Sequence, residues 1–142
     1  MGFLSRIFGR RRTLLEDIAA ACEWISEAAA SSGYSLDYTL DGMKEIDRLI
    51  DEQGGPDGIL SLGGGRTVFA LGAFVGQTAI KLYGGQWLTD DGDPSGCATA
   101  AVRLADGSLI IPVERCIRRC RNGAEDGIFP YMAALGRKNS HT

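Results

Sequence analysis

The stretch VFALGAFVGQTAIKLYGGQW, residues 68–87, decides how the rest of the 142-residue chain is read. Its first sixteen residues hold two strongly polar side chains, Gln77 and Lys81, and no proline. That composition predicts a buried helix, shorter and more interrupted than the roughly 20 apolar residues needed to cross a bilayer. Gly72, Ala73, Gly76 and Ala79 keep one side of it flat, so that another backbone can lie close. The Gly84-Gly85 pair stops it, because glycine tolerates the left-handed conformation on which helices end.

Working back from this rod, Thr13 to about Ser31 reads as a helix. Thr13 is placed to cap it, with Glu16 three residues on completing a capping box. Leu14, Ile18, Ala21, Cys22, Ile25 and Ala29 recur at 3.6-residue spacing, and the slim alanine-rich helix is the expected neighbour of the small-residue side of the rod. A second helix is expected from about Leu36 to Gln53, with Tyr38, Met43, Ile46, Leu49 and Ile50 inward. Its wet side carries Asp37, Asp41, Lys44, Asp47, Arg48 and Asp51, and Gly42 reads as a weak point costing up to ~1 kcal/mol against alanine. The cluster GGPDG at 54–58 is a break, followed by ILSL and the glycines 63–65.

Beyond the rod the signal turns to strands. Trp87-Leu88, Cys97 to Leu104 and Ser108 to Ile111 read as short β-runs, the last two joined by Ala105-Asp106-Gly107 in a hairpin. Pro112 halts the strand. Val113 to Arg121 is a one-sided helix with Val113, Cys116, Ile117 and Cys120 inward and arginines 115, 118, 119 and 121 outward. Ala124 to Leu135 is a last short helix weakened by Pro130, and residues 136–142 read as a disordered tail. The expected fold is α+β: N-terminal helices and a central buried helix packed on a small antiparallel sheet with C-terminal helices. The rod is expected to lie between the helical pair and the sheet. Length alone suits one domain, 13–135, that can bury enough surface to need neither disulfide nor metal.

Charge is unevenly placed. Residues 1–12, MGFLSRIFGRRR, carry Arg6, Arg10, Arg11 and Arg12 and no acid, which leaves eleven basic groups against eighteen acidic ones in the remainder. An acidic body is a poor match for nucleic acid, whose binding rests on neutralising phosphates. The first twelve residues are a different object. Phe3, Leu4, Ile7 and Phe8 fall at helical spacing beside the arginines, the pattern of a segment that lies on an anionic membrane surface or contacts a partner. No export signal or C-x-x-C is present, so the cysteines at 22, 97, 116 and 120 are read as reduced thiols. The chain is read as cytoplasmic, with the inner face of the membrane as a further station.

Several residues carry a resemblance. Leu71-Gly72-Ala73-Phe74-Val75-Gly76 followed by Gly84-Gly85-Gln86-Trp87 resembles an L-G-A-(F/Y)-x-G … G-G-x-W motif of a loose group of small bacterial domains of unknown function. The stretches Leu36-Asp37-Tyr38, Glu45 to Leu49, and Pro112 to Asn122-Gly123 are similar to elements flanking that motif. The resemblance spans about residues 13–135. It implies a fold and a bacterial origin but no activity, and members of the group often carry glutamate where this chain has Gln77.

Chemistry-bearing constellations are sparse. The single histidine, His141, stands next to the last residue, so a Ser-His or Cys-His pair has no base in the body of the chain. No catalytic or metal residues and no cofactor are assigned. Asp90-Asp91-Gly92-Asp93 lacks the alternating spacing and distal glutamate of a calcium loop. Gly63-Gly64-Gly65-Arg66-Thr67 lacks the earlier glycine of a phosphate-binding loop, since Leu60 stands there. The arginines at 115, 118, 119 and 121 form the strongest charged patch, set to pair with the second helix or with an acidic partner. The sequence therefore points to a non-enzymatic protein-binding module, of immunity, antitoxin or adaptor type. The rival reading is a small-ligand binder or enzyme with a pocket around Gln77, Tyr83 and Trp87.

Overall fold

A computed structural model describes residues 13–54, 65–92 and 96–139. It is an α+β fold. Helices α1 (Leu14–Ser31), α2 (Leu40–Gln53) and α3 (Gly65–Tyr83) precede strand β1 (Gly85–Leu88). The one-turn helix α4 (Gly96–Thr99), strands β2 (Ala101–Leu104) and β3 (Leu109–Ile110), and helices α5 (Pro112–Asn122) and α6 (Ile128–Asn139) follow, with a 3-10 turn at Gly123–Asp126 between the last two. The strands form an antiparallel meander in the order β1-β2-β3, with Val102 opposite Trp87 on one side and Ile110 on the other.

Helix α3 is the rod expected from the sequence. Ala70 to Gly76 are buried without interruption, as are Thr78 and Ala79. It ends where Gly84 turns to φ 78°, a conformation costly for any residue with a side chain, while the Gly84 N–H donates to the Ile80 carbonyl at 2.8 Å. It packs most extensively on α1 and α5 and also touches β1, β2 and α6. The flat side is used differently from expectation. A methyl group on Gly72 would meet Val113, and one on Gly76 would meet the Trp87 ring and Pro112, so these two glycines face α5 and β1 rather than α1. Helix α5 therefore runs antiparallel to α3, with its N-terminal turn pressed into the glycine notch.

Helix α1 begins as read: Thr13 Oγ1 accepts from the Glu16 N–H at 3.2 Å and Glu16 returns the bond to the Thr13 N–H at 2.8 Å. Asp91 adds a long-range cap, accepting from the Leu14 N–H at 2.6 Å. Helix α2 starts at Leu40, four residues later than expected, because the Thr39 hydroxyl caps it by accepting from the Gly42 N–H at 3.1 Å. Gly42 is no weak point. A Cβ there would strike the carbonyl oxygen of Asp37, so the tight N-terminal approach requires glycine. Helix α2 lies mainly against α6 instead of joining α1 in a pair against the rod. Its bridge to the rod is Tyr38, just ahead of it, whose ring stacks on Phe74 at 4.4 Å between centroids.

Three further expectations are corrected. Residues 96–99 form a helical turn instead of strand, since β1 is four residues long and gives pairing partners only to positions 101–104. In α5 Arg119 is buried and Cys120 exposed, the reverse of the expected one-sided pattern. The last helix neither starts at Ala124 nor leaves a tail from 136. It runs to Asn139, with Pro130 at its third position, where the missing N–H has no intrahelical partner to lose. Gly136 lies on this helix against the Tyr83 ring. The hairpin turn is as read, with Gly107 at φ 90° and its N–H donating to the Leu104 carbonyl at 2.9 Å.

Candidate functional site

Most of the conspicuous charged and aromatic groups hold parts of the fold together. Arg119, 3% exposed, donates from Nε to Asp47 Oδ1 at 2.9 Å and from Nη2 to Asp51 Oδ1 at 2.6 Å. Asp47 in turn accepts the N–H groups of Ile128 and Phe129, both at 2.9 Å, which caps α6 from another helix. Of the remaining arginines in the expected basic patch, Arg118 pairs with Glu114 at 2.9 Å. Arg115 lies 4.0 Å above the Tyr131 ring, with Asp126 at 3.9 Å. The structure thus dissolves the patch: Arg119 serves the α2–α5–α6 junction, Arg115 and Arg118 have local partners, and Arg121 stands exposed in the last turn of α5.

Gln77, Tyr83 and Trp87 do not converge on one point. Trp87 Nε1 donates to Gln77 Oε1 at 3.4 Å, and the indole covers Gly76. The Tyr83 hydroxyl donates to the Met132 carbonyl of α6 at 2.7 Å, and burial raises its pKa. Trp87 also borders an open hollow of about 440 Å³ with Leu88, Thr89, Asp90 and Thr99, in which neither Gln77 nor Tyr83 takes part.

Cys22 and Cys116 are placed as packing groups, whereas Cys120 is exposed. Burial pushes Cys22 up to about 11, against the lowering effect of its hydrogen bond with Tyr38, and burial raises Cys116 further still. A thiol held in its neutral form is a poor nucleophile and a poor metal ligand. Among the described residues no group of three His, Cys, Asp or Glu side chains is arranged to hold a metal ion. The contact set proposed for a membrane or partner (Phe3, Leu4, Arg6, Ile7, Phe8, Arg10, Arg11, Arg12) lies outside the described residues, as does His141. Among the described residues no helix is long and apolar enough to cross a membrane.

What sequence reading missed is a groove. Helices α3 and α5 diverge from the Gly72–Val113 contact, and the space between them, about 570 Å³, is lined by Gly65, Arg66, Val68, Phe69, Val113, Ile117 and Arg121. Val68, Phe69 and Ile117 are only half-buried. Val113, Ile117 and Arg121 recur at four-residue spacing, so they form one stripe along α5. On the other side of α3, Arg66 and Phe69 also border a smaller hollow with Trp24, Asp17 and Ala20 of α1, where the Arg66 guanidinium sits 4.6 Å above the Trp24 ring. The first turn of α3 is thus a ridge between two apolar depressions. Ile117, expected as core, stands at the groove's edge.

No protein-family model matches the chain, and no curated protein or solved structure matches it either.

Proposed function

We propose that the domain is a protein-binding module whose contact surface is the groove between α3 and α5. One observation carries the reading. Half-buried Val68, Phe69 and Ile117 line a connected apolar depression, flanked by exposed arginines, on a domain whose other large apolar side chains mostly pack into one core. Depressions of this kind on a soluble domain mark contact sites. The remaining conspicuous groups support it from the other direction: Arg119, Asp47, Tyr83, Cys22 and Cys116 are engaged in holding the helices together. Binding through such a surface needs no bond-making chemistry.

The test is photo-crosslinking in the native cell, with a benzophenone side chain placed at Ile117 and, in parallel, at the exposed apolar positions Leu15, Leu82 and Leu109. A discrete protein adduct formed from position 117 is the expected result. Absence of protein adducts from all four positions refutes the module reading.

A further inference from the structure

The groove's chemistry narrows what enters it. We propose that its occupant is an amphipathic helix of a partner protein, with apolar residues on one face and acidic residues flanking them. The inference rests on the protein-binding reading above and adds the class of partner.

Both walls are helices. Only the first N–H groups of α3 and the last carbonyls of α5 lack a partner within their helices, and these sit at helix ends, so the walls offer no extended backbone row for an added strand. A strand-shaped ligand gains its affinity from such a row, whereas a helix docks through side chains alone. The stripe from Val113 to Arg121 spans eight residue steps, or about 12 Å at 1.5 Å per residue. That length matches two to three turns of a docked helix, with anchors at i, i+4 and i+7. A volume of about 570 Å³ has room for two or three aliphatic side chains.

Charge sets the flanks. Among the described residues the charged side chains lining the groove are Arg121 and Arg66, the latter stacked over Trp24 at its rim; both are basic and both exposed. They stand at the end where α3 begins and α5 finishes, and among the described residues no acidic side chain lines the space. Arg121 is also at the C-terminus of its helix, where backbone carbonyls already favour a cation. Its charge is therefore favoured there with no acid beside it among the described lining residues. A partner helix bearing glutamate or aspartate beside its apolar face meets complementary charge, and a lysine-rich one meets repulsion.

The experiment selects helical peptides against the full-length chain from a library that fixes leucine at i, i+4 and i+7 and randomises the flanking positions. Binding of the winners is read by fluorescence anisotropy and by methyl NMR of Val68, Val113 and Ile117. The expected result is enrichment of Glu and Asp at the flanks, with shifts confined to these methyls. The exposed change Arg121→Glu should weaken the acidic winner by up to about fivefold, the upper scale of one rim charge pair. It should also improve binding of the same peptide with lysine in place of the acids, a reversal that a merely structural effect does not produce. Ile117→Asp should abolish both. Neutral or basic winners overturn the inference. So do shifts away from the groove, or NOEs showing the space already filled by residues of this same chain. In the cell, adducts from positions 15, 82 or 109 with none from 117 likewise remove the groove proposal, while leaving a protein-binding module with a different surface.

Discussion

Asp47 holds Arg119 across 72 residues of chain, its Oδ1 accepting from the guanidinium Nε at 2.9 Å. The same carboxylate accepts the first N–H groups of α6, so one side chain ties α2, α5 and α6 together. Removing one member of a buried pair leaves the other charged and unsolvated, at a cost of about 3–5 kcal/mol. Asp47→Ala and Arg119→Met are each expected to lower stability on that scale, measured by urea unfolding. Asp51→Ala removes only the more exposed partner, whose side chain is 62% accessible, and is expected to cost less than about 1 kcal/mol.

A steric prediction follows from the notch in α3. A Cβ on Gly72 would come within 2.7 Å of the Val113 Cα, and backbone cannot swing aside as a side-chain tip can. Gly72→Ala is expected to destabilise by about 1–3 kcal/mol, although alanine is the better helix former. Gly76→Ala would press on the Trp87 ring and should also shift the tryptophan fluorescence. Gly42→Ala is the third of the set. Propensity alone favours alanine by up to ~1 kcal/mol, but the Asp37 carbonyl oxygen stands where the methyl would go, so a loss of thermal stability is expected.

Acid should expose the role of Glu45. Its carboxylate takes hydrogen bonds from Arg48 at 2.9 and 3.0 Å and from the Ser35 N–H at 3.1 Å, and these hold its pKa down to about 2. A group whose folded pKa is depressed binds its proton more readily when unfolded. Its stabilisation is therefore complete above the ordinary glutamate value near ~4.3 and disappears as pH falls toward the folded value. Denaturant midpoints of the native chain and Glu45→Gln should differ at pH 6 and converge between about pH 4 and pH 2. A gap that persists at pH 2 would show that the glutamine substitution acts through packing instead.

Local signals made much of the fold legible beforehand. The Thr13–Glu16 capping box, the unbroken apolar run of α3, the Gly84 stop and the Asp106-Gly107 turn each depend on residues within a few positions of one another, and each stands where the pattern puts it. The misreadings share the opposite property. Arg119 does pair with the second helix, as the sequence suggests, but helical spacing puts it outward and does not reveal that Asp47 and Asp51, 72 and 68 positions away, draw it into a buried junction. Gly42 looked costly because propensity knows nothing of the Asp37 carbonyl folding over it. Hydrophobic periodicity predicts extended pairing for residues 97–99 and does not reveal that β1 ends at Leu88. The groove was invisible for a related reason. Ile117 and Phe69 have the same apolar character as Ile46 and Phe74, and only the divergence of α5 from α3 leaves the first two half-covered.

Thiol chemistry gives a prediction that separates the two faces of α5. Cys116 is fully buried and Cys22 nearly so, and burial raises both pKa values; Cys120, one turn beyond Cys116, is exposed, although partial burial of its thiol raises its pKa as well, against the lowering effect of Arg119. Alkylation requires the thiolate and access to it together. With iodoacetamide at pH 8, mapped site by site by mass spectrometry, Cys120 should be modified first, more slowly than a free thiol because its pKa is raised, while Cys22 and Cys116 should react only as fast as the native structure opens. Adding urea to the unfolding midpoint should bring the rates at positions 22 and 116 toward that at 120. Prompt labelling of Cys116 in the absence of denaturant would mean that α5 does not rest against the core on its Val113–Cys116–Arg119 side, and the groove, whose far wall is the same helix, would lose its shape with it.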